Sequence, residues 1–454
     1  MRKHLIILLV LIIPATGMSQ SLAVSENGRY IQDTSGKPFF YLGDTAWELF
    51  HRLDREEAAE YLKNRADKGF TVIQAVVLAE LDGLKTPNAY GELPLKDLDP
   101  GKPNEAYFEH VDYIVDQATA SGLYIGMLPT WGDKFYKLWG VGPEVFTKEN
   151  ARIFGEFLGK RYKDAPIIWI LGGDRNPANE EDMAIVRAMA EGLRNGDKGA
   201  HLMTYHPQGG ASSTDFFNED EWLDLNMFQS GHWSRYFENY EFTWAGYKNE
   251  PARPVLDSEP CYEDHPINWR AENGWFDAFD SRKRGYWSML SGACGHTYGN
   301  HNIWQMWTEG RDPVSAARTP WQQSLNQPGA FQAGYMRDLF ESRPWHLLIP
   351  DRSLITRGPN TDGREIVAAV AGDGGFLFAY TPHGSRFTVD LSKIRGTKIR
   401  VWWYNPLIGE AIPLGTFDKT EYYEADPPSD EKRGNDWVLV IDNAVMNFTT
   451  PGNR

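Results

Sequence analysis

The 454-residue chain carries 46 Lys and Arg against 62 Asp and Glu, a formal charge of −16. So acidic a chain lacks the basic footprint that nucleic-acid binding needs, and a hydrophobic content of 41% excludes global disorder. Aromatics reach 13%, with 17 Trp; indoles commonly floor sugar-binding clefts, the alternative being a large aromatic core.

The chain opens with MRKHLIILLVLIIPATGMSQ. Arg2 and Lys3 form a positive start, Leu5 to Ile13 a short apolar run, and small residues follow. This pattern predicts a secretory signal peptide over residues 1–19, cleaved after Ser19. The run is too short to span a bilayer, and no other segment reads as membrane-spanning. An exported protein, periplasmic or extracellular, is expected.

Residues 20–36 read as a short N-terminal hairpin. From about residue 38 to 340, strand-like runs alternate with amphipathic helical runs. The strands are FFYLGD (39–44), TVIQAVVL (71–78), LYIGMLPT (123–130), IIWILGGD (167–174), LMTYHP (202–207), LNMFQSG (225–231), PVLDSEP (254–260) and CGHTYGNH (294–301). Helical stretches occupy 54–69, 104–122, 149–166 and 180–196, three ending at glycine and one at proline. Continuous apolar strands alternating with helices predict an α/β fold, a (β/α)8 TIM barrel over residues 20–345. No glycine-rich nucleotide-binding motif accompanies the strands. Cys261 and Cys294 form either a disulfide or two buried free thiols. After ESRPWHLLIPD (341–351) helical periodicity stops. Short runs separated by Gly, Pro and Asp predict a small antiparallel β-sandwich over 346–454, with DPPSDEKRGND (426–436) as a mobile loop.

Active sites of such barrels lie at the C-terminal strand ends. The fourth strand delivers Asp174 after Gly172 and Gly173, glycines that would let a substrate approach the backbone; the seventh delivers Glu259. Two carboxyls across one cleft suit glycosidic cleavage, in which one is protonated and the other ionised. Each alone reads more readily as a helix N-cap, turn or strand-end residue; together, on strands four and seven, they read as a catalytic pair. Other tips offer polar and aromatic groups for a sugar: Asp44 and Trp47 after strand one, Trp131 and Asp133 after strand three, Arg175 after strand four. Tyr205 and His206 follow strand five, His232 and Trp233 strand six, and Tyr298, His301 and Trp304 strand eight. Asp44 also reads as a helix N-cap and each His as a structural residue. Asp257 reads as a buried partner for a base or hydroxyl. A metal site is not expected, since strand one carries no His-x-His and no H-E-x-x-H occurs; no cofactor is called for.

The segments YLGDTAWELFHRL (41–53), PTWGDK (129–134), WILGGDRNP (169–177), YHP (205–207), QSGH (229–232), LDSEPCYE (256–263) and GHTYGNHNIW (296–304) together resemble the apiosidase-like glycoside hydrolases, of the family 140 type. WWYNPLIGE (402–410) is similar to the domain named for collagen binding that follows such barrels. Most barrel glycosidases of the wider clan carry Glu after Asn on strand four; Asp after Gly is a departure this narrower family shares. The resemblance implies Asp174 as acid/base and Glu259 as nucleophile. It also implies exo-removal of apiose, a branched pentofuranose, from pectic rhamnogalacturonan-type side chains. Retention of configuration is the expected outcome, because two carboxyls at these strand tips usually lie close. The competing readings are a barrel glycosidase acting on another plant sugar and a non-catalytic carbohydrate-binding or adhesion protein.

Overall fold

The computed structural model describes residues 21–454, so the stretch read as a signal peptide lies outside the described residues. Three short strands come first, β1 (Leu22–Val24), β2 (Ile31–Asp33) and β3 (Pro38–Phe39), in one antiparallel sheet. Phe39 belongs to this sheet, and the first barrel strand starts two residues later than its apolar run suggests.

Eight parallel strands follow: β4 (Tyr41–Thr45), β5 (Val72–Leu78), β6 (Tyr124–Thr130), β7 (Ile167–Gly172), β8 (Met203–His206), β9 (Asn226–Phe228), β10 (Val255–Asp257) and β11 (Gly295–Tyr298). Six pair continuously in the order β11-β4-β5-β6-β7-β8, and β9 pairs with β10. The circle closes through Asp224 N–H to the Met203 carbonyl on one side and Cys294 N–H to the Val255 carbonyl on the other, both at 2.9 Å. β5 and β7 are buried along their whole length, as strands covered on both faces must be. Helices Arg55–Asp67, Glu105–Ala120, Lys148–Arg161 and Glu180–Asp197 form part of the outer shell. The first starts at a reciprocal cap between Asp54 and Glu57, which satisfies two backbone donors that a helix start leaves free. The eighth strand ends at Tyr298, and His301–Trp304 is a helical turn rather than strand. Both cysteines are free and buried.

The C-terminal part is two packed antiparallel sheets. One has the order β12 (Leu348–Pro350), β14 (Val367–Ala371), β15 (Phe376–Thr381), β20 (Trp437–Asn443), β17 (Lys398–Asn405), β18 (Glu410–Asp418). The other joins β13 (Ile355–Arg357), β16 (Phe387–Asp390) and β19 (Tyr422–Ala425). The larger sheet packs on the barrel, so that Tyr286 and Phe340 of the barrel share one apolar core with Phe378, Tyr380 and Val440. Tyr286 stacks on Tyr380 at 4.8 Å. Two buried ion pairs cross this contact, Arg282–Asp436 and Arg343–Asp442. The segment expected to be a mobile loop is therefore anchored: Asp436 is buried and Arg433 pairs with Asp277 and Asp280 of the barrel. Among the described residues no helix is long and apolar enough to cross a membrane.

Candidate active site

A cavity of about 490 Å³ opens at the C-terminal ends of the barrel strands. Trp47 after β4, Trp131 after β6, Trp304 after β11 and Tyr262 after β10 give it an aromatic wall. Three carboxyls face it: Glu80 after β5, Asp174 after β7 and Glu259 after β10. Half-exposed Trp269 and Trp139 stand at its mouth. A larger hollow of about 830 Å³ lies at the opposite end of the barrel, where Thr71 and Tyr124 enter their strands. Its four acidic residues all have partners, Asp338 and Glu341 in Arg454 and Arg337, Asp67 in Lys63, and Asp33 in Ser35 and the Lys37 N–H, so it presents no comparable set of carboxyls.

Glu259 is 5% exposed and held between two imidazoles. His232 Nε2 donates to its Oε1 at 2.9 Å. His206 Nε2 lies 3.2 Å from its Oε2, out of line for a regular hydrogen bond. Backbone N–H groups fix both rings as Nε2–H tautomers, because Asp174 N–H donates to His206 Nδ1 and Tyr262 N–H to His232 Nδ1. Behind His232, His265 stacks at 4.1 Å. Burial alone would raise the Glu259 carboxyl; the N–H groups that the two histidines turn toward it outweigh burial and hold the group at about 2.

Asp174 sits at the other wall, half-buried, with φ +54°. Burial and the neighbouring charge of Glu259 push its carboxyl up to about 7, against His206, Arg175 and the Trp139 indole. The two carboxyls thus feel each other and are driven apart in affinity for a proton. Gly172 and Gly173 precede Asp174 at φ +91° and +101°. A Cβ at Gly172 would stand 2.5 Å from the His206 carbonyl oxygen, and one at Gly173 3.0 Å from Trp131. The glycines admit neighbouring protein here, not the substrate expected from the sequence. Arg175 is buried and turned outward: it donates to the carbonyls of Tyr136 and Trp139 and stacks at 4.0 Å on the Trp139 ring. It positions the loop that carries Trp139 to Asp174.

Glu80 is half-buried among like charges. Burial first, then Asp174, Asp133 and Glu48, push its carboxyl up to about 8 against Arg175.

Of the sequence-predicted residues, Asp174, Glu259, Trp47, Trp131 and Trp304 line the cavity, and His206 and His232 reach it through Glu259. His301 lies one layer back, its ring edge-on to His265 at 4.4 Å, with Nε2 donating to the carbonyls of Val314 and Ser315. Others do not come to the cavity. Asp44 pairs with Arg65 at 2.6 Å and accepts from Tyr61, both on the Arg55–Asp67 helix. Tyr298 donates to Glu263 at 2.6 Å, and the Tyr205 hydroxyl donates to the Arg175 carbonyl. Asp133 pairs with Lys134 and accepts from Gly142 N–H, closing the loop after β6. Trp233 packs over Gly209, Gly210 and Gly231 outside the cavity. Asp257 accepts from the Ser230 hydroxyl and Asn239, a buried partner as expected. Sequence reasoning missed Glu80, Tyr262, Trp139 and Trp269. For Glu80 the signal was available, an acid just beyond the apolar run VVLA; the other three come from loops without periodicity.

The family model described as "Apiosidase-like, catalytic domain" matches residues 25–346, and "Putative collagen-binding domain of a collagenase" matches residues 349–442. Among curated proteins none matches the sequence. A solved structure described as "Glycoside hydrolase" is 34% identical with a TM-score of 0.86, covering 94% of this chain and 98% of that one. A glycoside hydrolase family 5 structure from Bacteroides vulgatus ATCC 8482 is 33% identical with a TM-score of 0.87, covering 95% of each chain. With a cavity of opposed carboxyls at the strand ends, the chain belongs to the apiosidase-like family and is a glycoside hydrolase.

Proposed function

We propose that the protein is an exo-acting, retaining glycosidase that releases a terminal sugar, apiose, from pectic rhamnogalacturonan-type side chains. The observation that carries this reading is two carboxyls facing one cavity in opposite surroundings: Glu259 accepts from the His232 imidazole at 2.9 Å, and Asp174, on the other wall, is pushed toward its protonated form by burial and by Glu259. In the first step a Glu259 oxygen bonds to the anomeric carbon, the glycosidic C–O bond breaks, and Asp174 gives its proton to the leaving oxygen. In the second, Asp174 takes a proton from water as that water displaces Glu259. The His232 imidazole orients the nucleophile by donating to it, and His206 Nε2 lies 3.2 Å from its other oxygen. A cavity of about 490 Å³ walled by Trp47, Trp131 and Trp304 suits a chain end rather than the middle of a polymer. The family description supports apiose. The N-terminal residues 1–19 support export, with the catalytic barrel ending near residue 345.

The test is incubation with rhamnogalacturonan oligosaccharides, with chromatography of the released sugar and NMR of its first-formed anomer. Monosaccharide apiose of retained configuration is expected, and Asp174→Asn and Glu259→Gln each lower turnover by about 10³-fold or more. Release of longer fragments, an inverted anomer, or full activity in either variant would each remove the corresponding part of the reading.

A further inference from the structure

Among the described residues, Glu80 is the one carboxyl on the cavity that the mechanism above does not use. Its surroundings are built with care. The residue before it, Ala79, has its carbonyl held by Lys134 Nζ at 3.0 Å, and the residue after it, Leu81, donates its N–H to Glu48 Oε1 at 3.0 Å. Both clamping side chains are fully buried. Buried charges are costly unless paired and hydrogen-bonded; Lys134 is paired with Asp133 and Glu48 with His51 and Arg52, and thus held they fix the backbone on either side of Glu80. The carboxyl itself has no hydrogen-bond or ion-pair partner among the described residues; it faces the cavity with Asp174, Asp133 and Glu48 as like charges nearby and Arg175 as the opposing one. A side chain placed for stability would be apolar here, or paired. Next to it, at the tip of the adjoining strand, Trp131 is bound through its N–H to the Leu78 carbonyl at 3.1 Å. Its indole N–H is buried, lacks any partner and belongs to a ring lining the same cavity.

We propose that Glu80 is a substrate-binding, specificity-determining residue that hydrogen-bonds hydroxyls of the terminal sugar, with the Trp131 indole N–H as the adjacent donor. The proposal rests on the glycosidase reading, in which Asp174 and Glu259 flank the scissile bond and the sugar lies between them and the aromatic wall. A protonated carboxyl offers one donor and an acceptor, a match for two neighbouring hydroxyls, and its raised affinity for a proton at this position agrees with that form. Preorganised groups of this kind discriminate strongly, because a sugar lacking the hydroxyl leaves them unpaired.

The experiment compares Glu80→Gln and Glu80→Leu with wild type on the para-nitrophenyl glycoside the wild-type protein cleaves, apioside first, and on its monodeoxy series. Glutamine keeps a donor and an acceptor without charge; leucine keeps the size alone. The expected result is a loss of about 100-fold in kcat/KM for Glu80→Leu and less than about 10-fold for Glu80→Gln. With one member of the monodeoxy series the difference between wild type and Glu80→Leu shrinks to within about 3-fold, since the contact is already gone. Both variants keep the wild-type melting temperature. Equal behaviour of the two variants would assign Glu80 a charge effect on Asp174 and overturn the proposal. Wild-type kinetics in Glu80→Leu, absence of any masking deoxy sugar, or unfolding of Glu80→Leu would also overturn it. A released sugar other than apiose corrects the preceding section and leaves this comparison intact.

Discussion

The contact between the sandwich and the barrel invites a quantitative test at Asp436. Its carboxylate accepts from Arg282 Nε at 2.8 Å and Nη2 at 2.6 Å, and from the Tyr380 hydroxyl at 3.0 Å. The two charged side chains are 0% and 3% exposed. Asp436→Ala leaves the guanidinium buried without its counter-charge, which costs about 3–5 kcal/mol. An unfolding entropy of ~2.1 cal/mol/K per residue, over a unit of about 430 residues, gives ~0.9 kcal/mol/K, so the melting temperature falls by ~3–6 °C. The double variant Arg282→Met/Asp436→Leu removes both charges and recovers at least half of the loss. The assay is differential scanning calorimetry with kcat/KM measured alongside, and kcat/KM stays at the wild-type value because neither residue lines the cavity. A melting temperature within about 1 °C of wild type would refute the reasoning. So would two separate transitions, because they would show the shared apolar core of Tyr286, Phe340, Phe378 and Tyr380 does not couple the two parts.

The paired carboxyls fix a pH profile. Glu259 is depressed to about 2 and so is ionised above it; Asp174 is raised to about 7 and so is protonated below it. kcat/KM is therefore flat between these values and falls above about 7. His232→Ala removes the 2.9 Å donor to Glu259, and the acid limb moves up toward the ordinary glutamate value of about 4.3; an unmoved limb would show that the imidazole does not stabilise the charge. Trp269 is 48% exposed at the cavity mouth, where it can stack on the leaving part of the substrate. Trp269→Ala raises KM about 10-fold for an oligosaccharide and leaves a methyl glycoside unchanged; equal effects on both would place the indole elsewhere.

The barrel was legible because its strands are buried on both faces, so β5 and β7 read as unbroken apolar runs. The two carboxyls were legible because strand tips are where such barrels present chemistry. What the reading overlooked was side-chain direction. In β4, Leu42 and Asp44 share one parity and face the helices, while Tyr41 belongs to the barrel interior. In β11, Thr297 meets Gln74 inside the barrel, so Tyr298 must point out. Both acids and tyrosines at strand ends were assigned to the cavity without that count. Trp139 and Trp269 were invisible for a different reason: they reach the cavity from loops whose course depends on clamps such as Arg175 on Tyr136 and Trp139, which no local pattern encodes. The mobile loop failed at Asp436 because a polar run looks solvent-exposed until its partner Arg282, far away in sequence, is known.

The departure at strand four has a structural counterpart. The chain leaves β7 through three consecutive residues of positive φ, Gly172, Gly173 and Asp174, the last held by its N–H to His206 Nδ1. Left-handed backbone at a non-glycine residue is tolerated best by Asp and Asn, and here it carries the shorter acid to the cavity wall. Asp174 and its backbone path are therefore one device. Restoring the longer side chain by Asp174→Glu advances the carboxyl by about 1.5 Å against Trp139 and Glu259, without moving the backbone that His206 holds. A misplacement of about 1 Å at a reacting group costs on the order of 100-fold, so kcat falls by about that factor while KM changes little. The measurement is steady-state kinetics on the oligosaccharide, together with an aryl glycoside whose leaving group needs no proton. The aryl substrate should lose less, because only proton delivery is misplaced. Wild-type kcat in Asp174→Glu would show that the acid has room to spare, and that the three left-handed residues serve the contact between His206 and Trp131 rather than the reach of Asp174.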